Sequence, residues 1–327
     1  MSPIFDRMSY PVEEQARAAA SRRNLLHSVI LVGGIGAIMA LSAWLLFGRA
    51  AVIATFLLIG VLLLLSPRIT PELIMRMYGA RRVSPQTGGP LFGIVNELAH
   101  RAELPAPPHL YVIPSPIINA FATGVRSNAI VAVTQGMLNR LAPREIAGVL
   151  AHEIAHVRNN DIWIMSLADT MSRFTHFMSM TGVMLFFFSL PAALFGGVSI
   201  PWIVILVLYF APTLTALLQL GLSRTREYEA DLEGARLSGD PEGLASALHR
   251  IENYQGRVLE TIFMPGRRAP VPSLLRTHPP TEERVKRLLA LRDVQRKPMT
   301  LEAFQPIPAA FSALRQRPRY HLTGLWY

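Results

Sequence analysis

The sequence predicts a mainly α membrane protein, with four transmembrane helices joined to a cytoplasmic α+β domain that carries a small β-sheet. Three observations in the 327 residues lead there. Charge-free apolar blocks are long enough to cross a bilayer. Basic residues gather on one side of each block. Polar segments between and after the blocks carry strand and helix patterns of their own.

Composition sets the frame. Charged residues make up 17% of the chain and hydrophobic ones 51%, against roughly 25% charged in ordinary soluble domains. Mean hydropathy is +0.31. A disordered chain is excluded, since it needs low hydrophobicity and high charge. Cysteine is absent, so neither a disulfide framework nor a thiolate metal site can form. A net charge of +10 fits either nucleic acid or an anionic membrane surface, and the placement of the apolar residues decides between them.

From Leu25 to Phe47 there is no Asp, Glu, Lys or Arg, and Ala50–Pro67 is again uncharged. A third charge-free region, Phe174–Ser223, is broken by Pro191, Gly196, Gly197 and Pro201. As a helical crossing takes about 20 residues, four spans are expected, at 26–47, 50–67, 175–196 and 200–222. The second is short and would cross nearly upright. Arg17, Arg22 and Arg23 precede the first span, and Arg68, Arg76, Arg81 and Arg82 follow the second. Arg158 and Arg173 precede the third; Arg224 and Arg226 follow the fourth. The two hairpin connections carry only Arg49. This bias puts both termini and the polar segments in the cytoplasm. The positive charge therefore marks a membrane face in contact with lipid, and no basic stretch with interleaved aromatics points to nucleic acid.

The expected organisation is an N-terminal tail over 1–25, a transmembrane hairpin over 26–67, and a polar segment over 68–173. A second hairpin over 174–222, a second polar segment over 223–297 and a tail over 298–327 follow. In the first polar segment Leu91–Arg101 reads as a helix, and His109–Val112 and Ala129–Thr134 as short strands. Asn119–Gly124 reads as the turn between them. Pro143 suits the first turn of a long helix running through Val157. In the second polar segment Glu227–Leu237, Pro241–Tyr254 and Thr281–Arg292 read as helices.

On the long helix stands His152-Glu153-Ile154-Ala155-His156. Residues four apart share a helix face, so both imidazoles can bind one ion with Glu153 beside it. This is the pattern of zinc hydrolases in which the glutamate is the general base. Two surface histidines would show the same letters, but the apolar flanks Val149-Leu150-Ala151 and Ile154-Ala155 bury this helix. A catalytic zinc takes three protein ligands and keeps a fourth position open. The acidic run Glu227-Tyr228-Glu229-Ala230-Asp231-Leu232-Glu233 can supply the third. Glu227 and Asp231 share one helix face, Glu229 and Glu233 another, and periodicity leaves both faces open.

Four motifs come in order: Asn119-Ala120-Phe121-Ala122-Thr123-Gly124; the His152–His156 pentad with Asp161 after it; Ser223-Arg224-Thr225-Arg226-Glu227-Tyr228-Glu229-Ala230-Asp231; and His278-Pro279-Pro280 with Arg284. With them the chain resembles the HtpX branch of the integral-membrane zinc metallopeptidases, whose relatives include the CAAX prenyl proteases. The resemblance implies a zincin-like metalloprotease domain holding one Zn2+ per chain, with Glu227 as third ligand after His152 and His156. Asp231 would hydrogen-bond a ligand histidine and fix its ring. Asp161 would either do likewise or cap the active-site helix. The positions matching His278 and Arg284 lie near substrate and the developing oxyanion in prenyl-protease relatives; the alternative for His278-Pro279-Pro280 is a rigid turn before the next helix. A CAAX prenyl protease has more membrane spans around a large chamber, and four spans match HtpX instead.

The expected activity is that of a membrane-integrated zinc endopeptidase in which Glu153 takes the proton of the attacking water. The segment around Asn119–Ala122 is small and apolar enough to form an edge strand, which could pair with an extended substrate backbone. Its substrates would be polypeptides at the cytoplasmic face of a bacterial inner membrane, misfolded or damaged membrane proteins among them. The resemblance adds roles in quality control and stress response. Two alternatives stand beside it: a narrow processing protease of the CAAX type, and a non-catalytic scaffold with a structural metal. The intact Glu153 argues against the scaffold.

Overall fold

The computed structural model describes residues 11–65, 71–196, 202–263 and 280–291. Its elements run α1 (Pro11–Phe47), α2 (Arg49–Leu65), α3 (Pro71–Met77), β1 (Arg81–Arg82), α4 (Pro85–Arg101), β2 (His109–Ile113), β3 (Ala120–Val125) and β4 (Asn128–Thr134). They continue with α5 (Gln135–Arg140), α6 (Pro143–Arg158), α7 (Asp161–Phe195), α8 (Trp202–Ser238), α9 (Pro241–Phe263) and α10 (Thr281–Leu289). The chain forms two compact units, one of residues 1–64 with 164–222, the other of residues 65–163 with 223–327.

The first unit is helical and apolar on its outside. Trp44, Phe187, Phe188, Ile203 and Tyr209 are all exposed, which suits a surface solvated by lipid. Its buried hydroxyls bond within their own helices: Ser42 donates to the Ile38 carbonyl and Thr55 to that of Ala51, both at 2.8 Å. Neither of these two hydroxyls then needs a partner across an apolar interface. Among the described residues, three stretches are long and apolar enough to cross a membrane: Leu25–Phe47, Asp161–Pro191 and Trp202–Ser238. The second expected span is the 17-residue α2, about 25 Å long at 1.5 Å per residue and short of a full bilayer core.

The second unit is built on a four-stranded sheet in the order β1-β2-β4-β3. β2 and β4 are parallel, and the other two pairings are antiparallel. β4 is central and buried from Ala129 to Thr134, as expected of a strand covered on both faces. On one face Leu110, Val112, Val131 and Val133 pack with Ile146, Leu150 and Ile154 of α6. On the other, Ile113, Ile130 and Ala132 pack with Met75 of α3, and Phe121 joins them.

Most of the expected turn at Asn119–Gly124 is instead strand β3, at the sheet edge, as the small apolar residues of Asn119–Ala122 allow. The reversal comes later, at Arg126–Ser127, since Val125 pairs with Asn128. Gly124 lies inside the strand at φ 94°, where a Cβ would stand 2.3 Å from the Asn128 carbonyl oxygen. Glycine is required there by that close approach, not by a turn. The helix expected from Leu91 begins at Pro85 and is kinked at Gly89. The helix expected from Glu227 is the end of the 37-residue α8, because no breaker separates the apolar block from the acidic run. α6 starts at Pro143 as expected. Its buried Glu145 accepts from the Ala142 N–H at 2.8 Å and from the Ser246 hydroxyl at 2.6 Å, tying the start of α6 to α9. His278 and the tail over 298–327 lie outside the described residues.

Candidate metal centre

The centre is assembled where α8 crosses α6. One helical turn separates His152 from His156, and their Nε2 atoms stand 3.2 Å apart. From α8, Glu227 places Oε2 3.6 Å from His152 Nε2 and Oε1 3.6 Å from His156 Nε2. The approach depends on Gly234, two turns beyond Glu227 on the same face of α8. A Cβ there would lie 2.9 Å from the His152 backbone nitrogen, so a larger residue would push Glu227 away from the imidazoles.

This donor set fits a metal. His152, His156 and Glu227 each offer a ligand atom, all within 4.8 Å of one another. Ligand atoms about 2.05 Å from a tetrahedral zinc stand about 3.3 Å from one another, close to the separations found. Two imidazoles and one carboxylate leave the fourth position open, as a catalytic site requires.

Behind each imidazole stands a carboxylate, and behind each carboxylate an arginine. Asp231, on the same face of α8 as Glu227, places Oδ1 3.1 Å from His152 Nδ1. Arg284 of α10 donates to Asp231 through Nε at 2.7 Å and Nη2 at 2.6 Å. Its Nη1 lies 3.3 Å from Oε2 of Glu227. Asp161 approaches His156 Nδ1 to 3.0 Å, and Arg226 donates to the other oxygen of Asp161. All four of these charged residues are buried. Asp161 reaches His156 because α6 ends at Arg158 and Asn160, at φ 57°, turns the chain straight into α7. Asparagine tolerates that left-handed conformation.

The electrostatics follow from this packing. Burial disfavours a charge on His156, but hydrogen bonds to Asp161 and Glu227 outweigh it and raise its pKa from 6.5 to about 10. Burial likewise works against a charged Asp231, yet Arg284 and His152 hold its carboxyl below the ordinary value. Without a metal, then, the cluster balances its carboxylates with a proton on His156.

Glu153 lies on the adjoining face of α6, half-buried. Its Oε2 accepts from the Ala122 N–H at 3.1 Å. That N–H points away from β4: the Thr134 N–H donates to the Asn119 carbonyl at 3.0 Å, so alternation turns the backbone groups of Ala120 and Ala122 outward. The candidate base and the free edge of the sheet therefore face one place.

The comparisons with known proteins agree with this geometry. The model of peptidase family M48 matches residues 85–292. The chain belongs to peptidase family M48. A protease HtpX homolog of Desulfatibacillum aliphaticivorans is 36% identical over 290 residues, covering 82% of this chain and 90% of that protein. One of Methylibium petroleiphilum is 38% identical over 282 residues, covering 82% and 98%. Among solved structures, S. mikatae Ste24p matches with a TM-score of 0.50 at 22% identity, over 83% of this chain and 65% of that one; that likeness is one of fold. The resemblance drawn from the motifs is borne out. This M48 chain is a membrane metalloprotease of the HtpX kind, and polypeptides are its substrates.

Of the residues singled out by sequence, the structure gathers His152, His156, Glu227, Asp231, Asp161, Glu153 and Arg284 at one centre, with Ala122 against Glu153. Ala120 shares the outward edge with Ala122, while the Phe121 side chain turns to the opposite face of the sheet. Asn119 is occupied by Thr134, whose Oγ1 accepts its N–H at 3.0 Å. Glu233, on the other face of α8, pairs with Arg158 instead. Arg284 bonds Asp231 and lies 3.3 Å from Glu227. Arg226 is the residue sequence reasoning missed as part of the site: beside an apolar block it reads as one more membrane-flanking arginine, and only packing shows it buried on Asp161.

Proposed function

We propose that this chain is a zinc-dependent endopeptidase that cuts polypeptides at the cytoplasmic face of a bacterial inner membrane. One zinc would be held by His152, His156 and Glu227, and would supply Lewis acidity toward water and the scissile carbonyl. Glu153 takes the proton of the attacking water and delivers it to the leaving amine. An extended substrate pairs with the free edge of β3 around Asn119–Ala122, which carries it past the Glu153 carboxylate. Asp231 and Asp161 fix the two imidazole rings, and Arg284 holds Asp231 and Glu227 in place. His278 is assigned to the oxyanion on resemblance alone. The observation that carries this reading is the convergence of three ligand atoms at 3.2–3.6 Å beside a base hydrogen-bonded to the sheet edge.

The arginine asymmetry around the apolar blocks supports four crossings with both termini and the site in the cytoplasm. Backbone pairing tolerates many sequences, so misfolded or damaged membrane proteins are natural substrates, in quality control and under stress. The likeness to Ste24p extends to the fold and does not bring a prenyl substrate with it.

The test is metal content and casein cleavage of the detergent-purified protein beside Glu153→Gln. One zinc in each protein, with cleavage by the wild type only, is expected. Cleavage by Glu153→Gln would remove Glu153 from its role. Zinc without cleavage by the wild type would favour the scaffold, or, if a lipidated peptide is cut, the CAAX-type reading.

A further inference from the structure

Beside the edge strand, on the face of the sheet away from α6, lies an apolar groove of about 390 Å³. Ile74, Tyr78, Ile113, Ile117, Phe121 and Thr123 line it, and none of its lining residues is charged. The rings of Tyr78 and Phe121 stand 5.7 Å apart and tilted by 56°, which leaves aromatic edges and faces open to a third apolar group. Tyr78 and Ile117 are each 48% exposed. Such a groove is small for a ligand site, near the bottom of the usual range of about 300–1,000 Å³, and has room for one large side chain.

Its position relates it to the metal centre. Along β3 the side chains alternate: Ala120 and Ala122 turn toward α6 and the metal ligands, Phe121 and Thr123 toward the groove. A polypeptide paired with the free edge of β3 alternates in the same way. Every second side chain falls next to Phe121 or Thr123, about 5 Å away, the ordinary cross-strand distance. The residues between them face the metal side. We propose that the groove is a substrate subsite that takes one bulky apolar side chain, aromatic or leucine-like, of an extended polypeptide whose backbone pairs with β3. It rests on the reading of β3 as the substrate-pairing strand and adds side-chain selection to it. Broad tolerance along the backbone is thereby combined with one position of preference, which suits segments that are apolar because they come from protein cores or membrane spans.

The test uses the zinc-loaded full chain and a quenched fluorescent peptide of fixed sequence, with Ala replaced by Phe at each position in turn. Phe is expected to raise kcat/KM about tenfold or more over Ala at one position, mostly through KM. Thr123→Trp fills the groove and should collapse that Phe-to-Ala ratio toward one; Tyr78→Ala should lower it severalfold. Zinc content of both variants checks that they fold. Cleavage of the whole series with no position of preference overturns the subsite while leaving the protease intact. A preference that survives Thr123→Trp places the selecting pocket elsewhere, and a preference seen in detergent but lost in phospholipid vesicles means lipid fills the groove; both outcomes also overturn it. Failure to cleave any peptide or casein fails the protease reading itself.

Discussion

His152 and His156 stand one turn apart on one helix, yet their rings are held from very different places. His156 is held by Asp161, five residues further along the chain; only the corner between α6 and α7 has to form. His152 is held by Asp231 of α8, which is itself clamped by Arg284 of α10. Three helices must come together before that ring has a partner. Both relays end in a buried arginine, but Arg284 also lies 3.3 Å from Glu227. Its two carboxylate partners therefore compete for it. The comparison teaches that one half of the centre is nearly local and the other half depends on the whole fold.

Glu227 belongs to both halves, and its loss should be the most severe. Glu227→Ala is expected to abolish zinc binding and cleavage together, whereas Glu229→Ala, on another face of α8, should keep both. Metal analysis of the purified variants decides; zinc loss in Glu229→Ala alone would move the third ligand to that face.

The two relays should differ next. Replacing a residue that orients a ligand costs about 10–100-fold in metal affinity. Asp231→Asn should fall at the high end, about 100-fold, because Arg284 is then left to Glu227 and competes with the metal for its carboxylate. Asp161→Asn should fall near tenfold. Zinc competition against a chelator measures both, and the reverse order would break the comparison.

The pH dependence separates the relays from another side. A His156 pKa of about 10 lies above the ordinary 6.5, so the metal-free site carries that proton at neutral pH and zinc must displace it. The stability this proton lends the metal-free fold is fully present below about pH 6.5 and is lost as pH rises through about 10. Zinc affinity should therefore rise with pH across the neutral range, by about one proton per zinc. The slope should flatten in Asp161→Asn, which loses a carboxylate that holds the proton, and persist in Asp231→Asn. Calorimetry in buffers of different ionisation enthalpy counts the protons released.

The smallest effect belongs to the arginines. Lysine keeps the charge but cannot grip a carboxylate through two N–H groups. Arg284→Lys should weaken zinc binding severalfold, as its fork on Asp231 is lost. Arg226→Lys, which keeps a charged donor within reach of Asp161, should do so less. Equal losses would mean that the arginines act only as buried charge.

How much of this could be read from the chain follows the same division. The pentad declared His152, Glu153 and His156 at once, because residues four apart on a helix share a face whatever else the protein does. Pro143 marked the start of that helix, and the apolar blocks marked the membrane helices, since both signals are local. The face of α8 was a different matter. Glu227 with Asp231, and Glu229 with Glu233, obey one periodicity equally well; contact with α6 at Gly234 separates them. Asp161 was legible as a carboxylate near the helix end, but whether it touches a ring or caps a helix depends on the left-handed turn at Asn160. Gly124 read as a turn because its reason for being glycine, the neighbouring carbonyl of β4, is a contact and leaves no trace in the local pattern.

By itself the sequence determined the chemistry of the ligands, the helix that carries two of them, the apolar helices and the family. Each rests on spacing or composition within a few turns of chain, where covalent geometry does the positioning. The tertiary structure alone decided which acidic face meets the histidines, that Arg226 and Arg284 stand behind the carboxylates, and that Glu153 shares its place with the free edge of β3. Arg284 stands 132 positions from His152 in the chain, and only the close packing of α6, α8 and α10 brings these charges within hydrogen-bond reach while shutting out water.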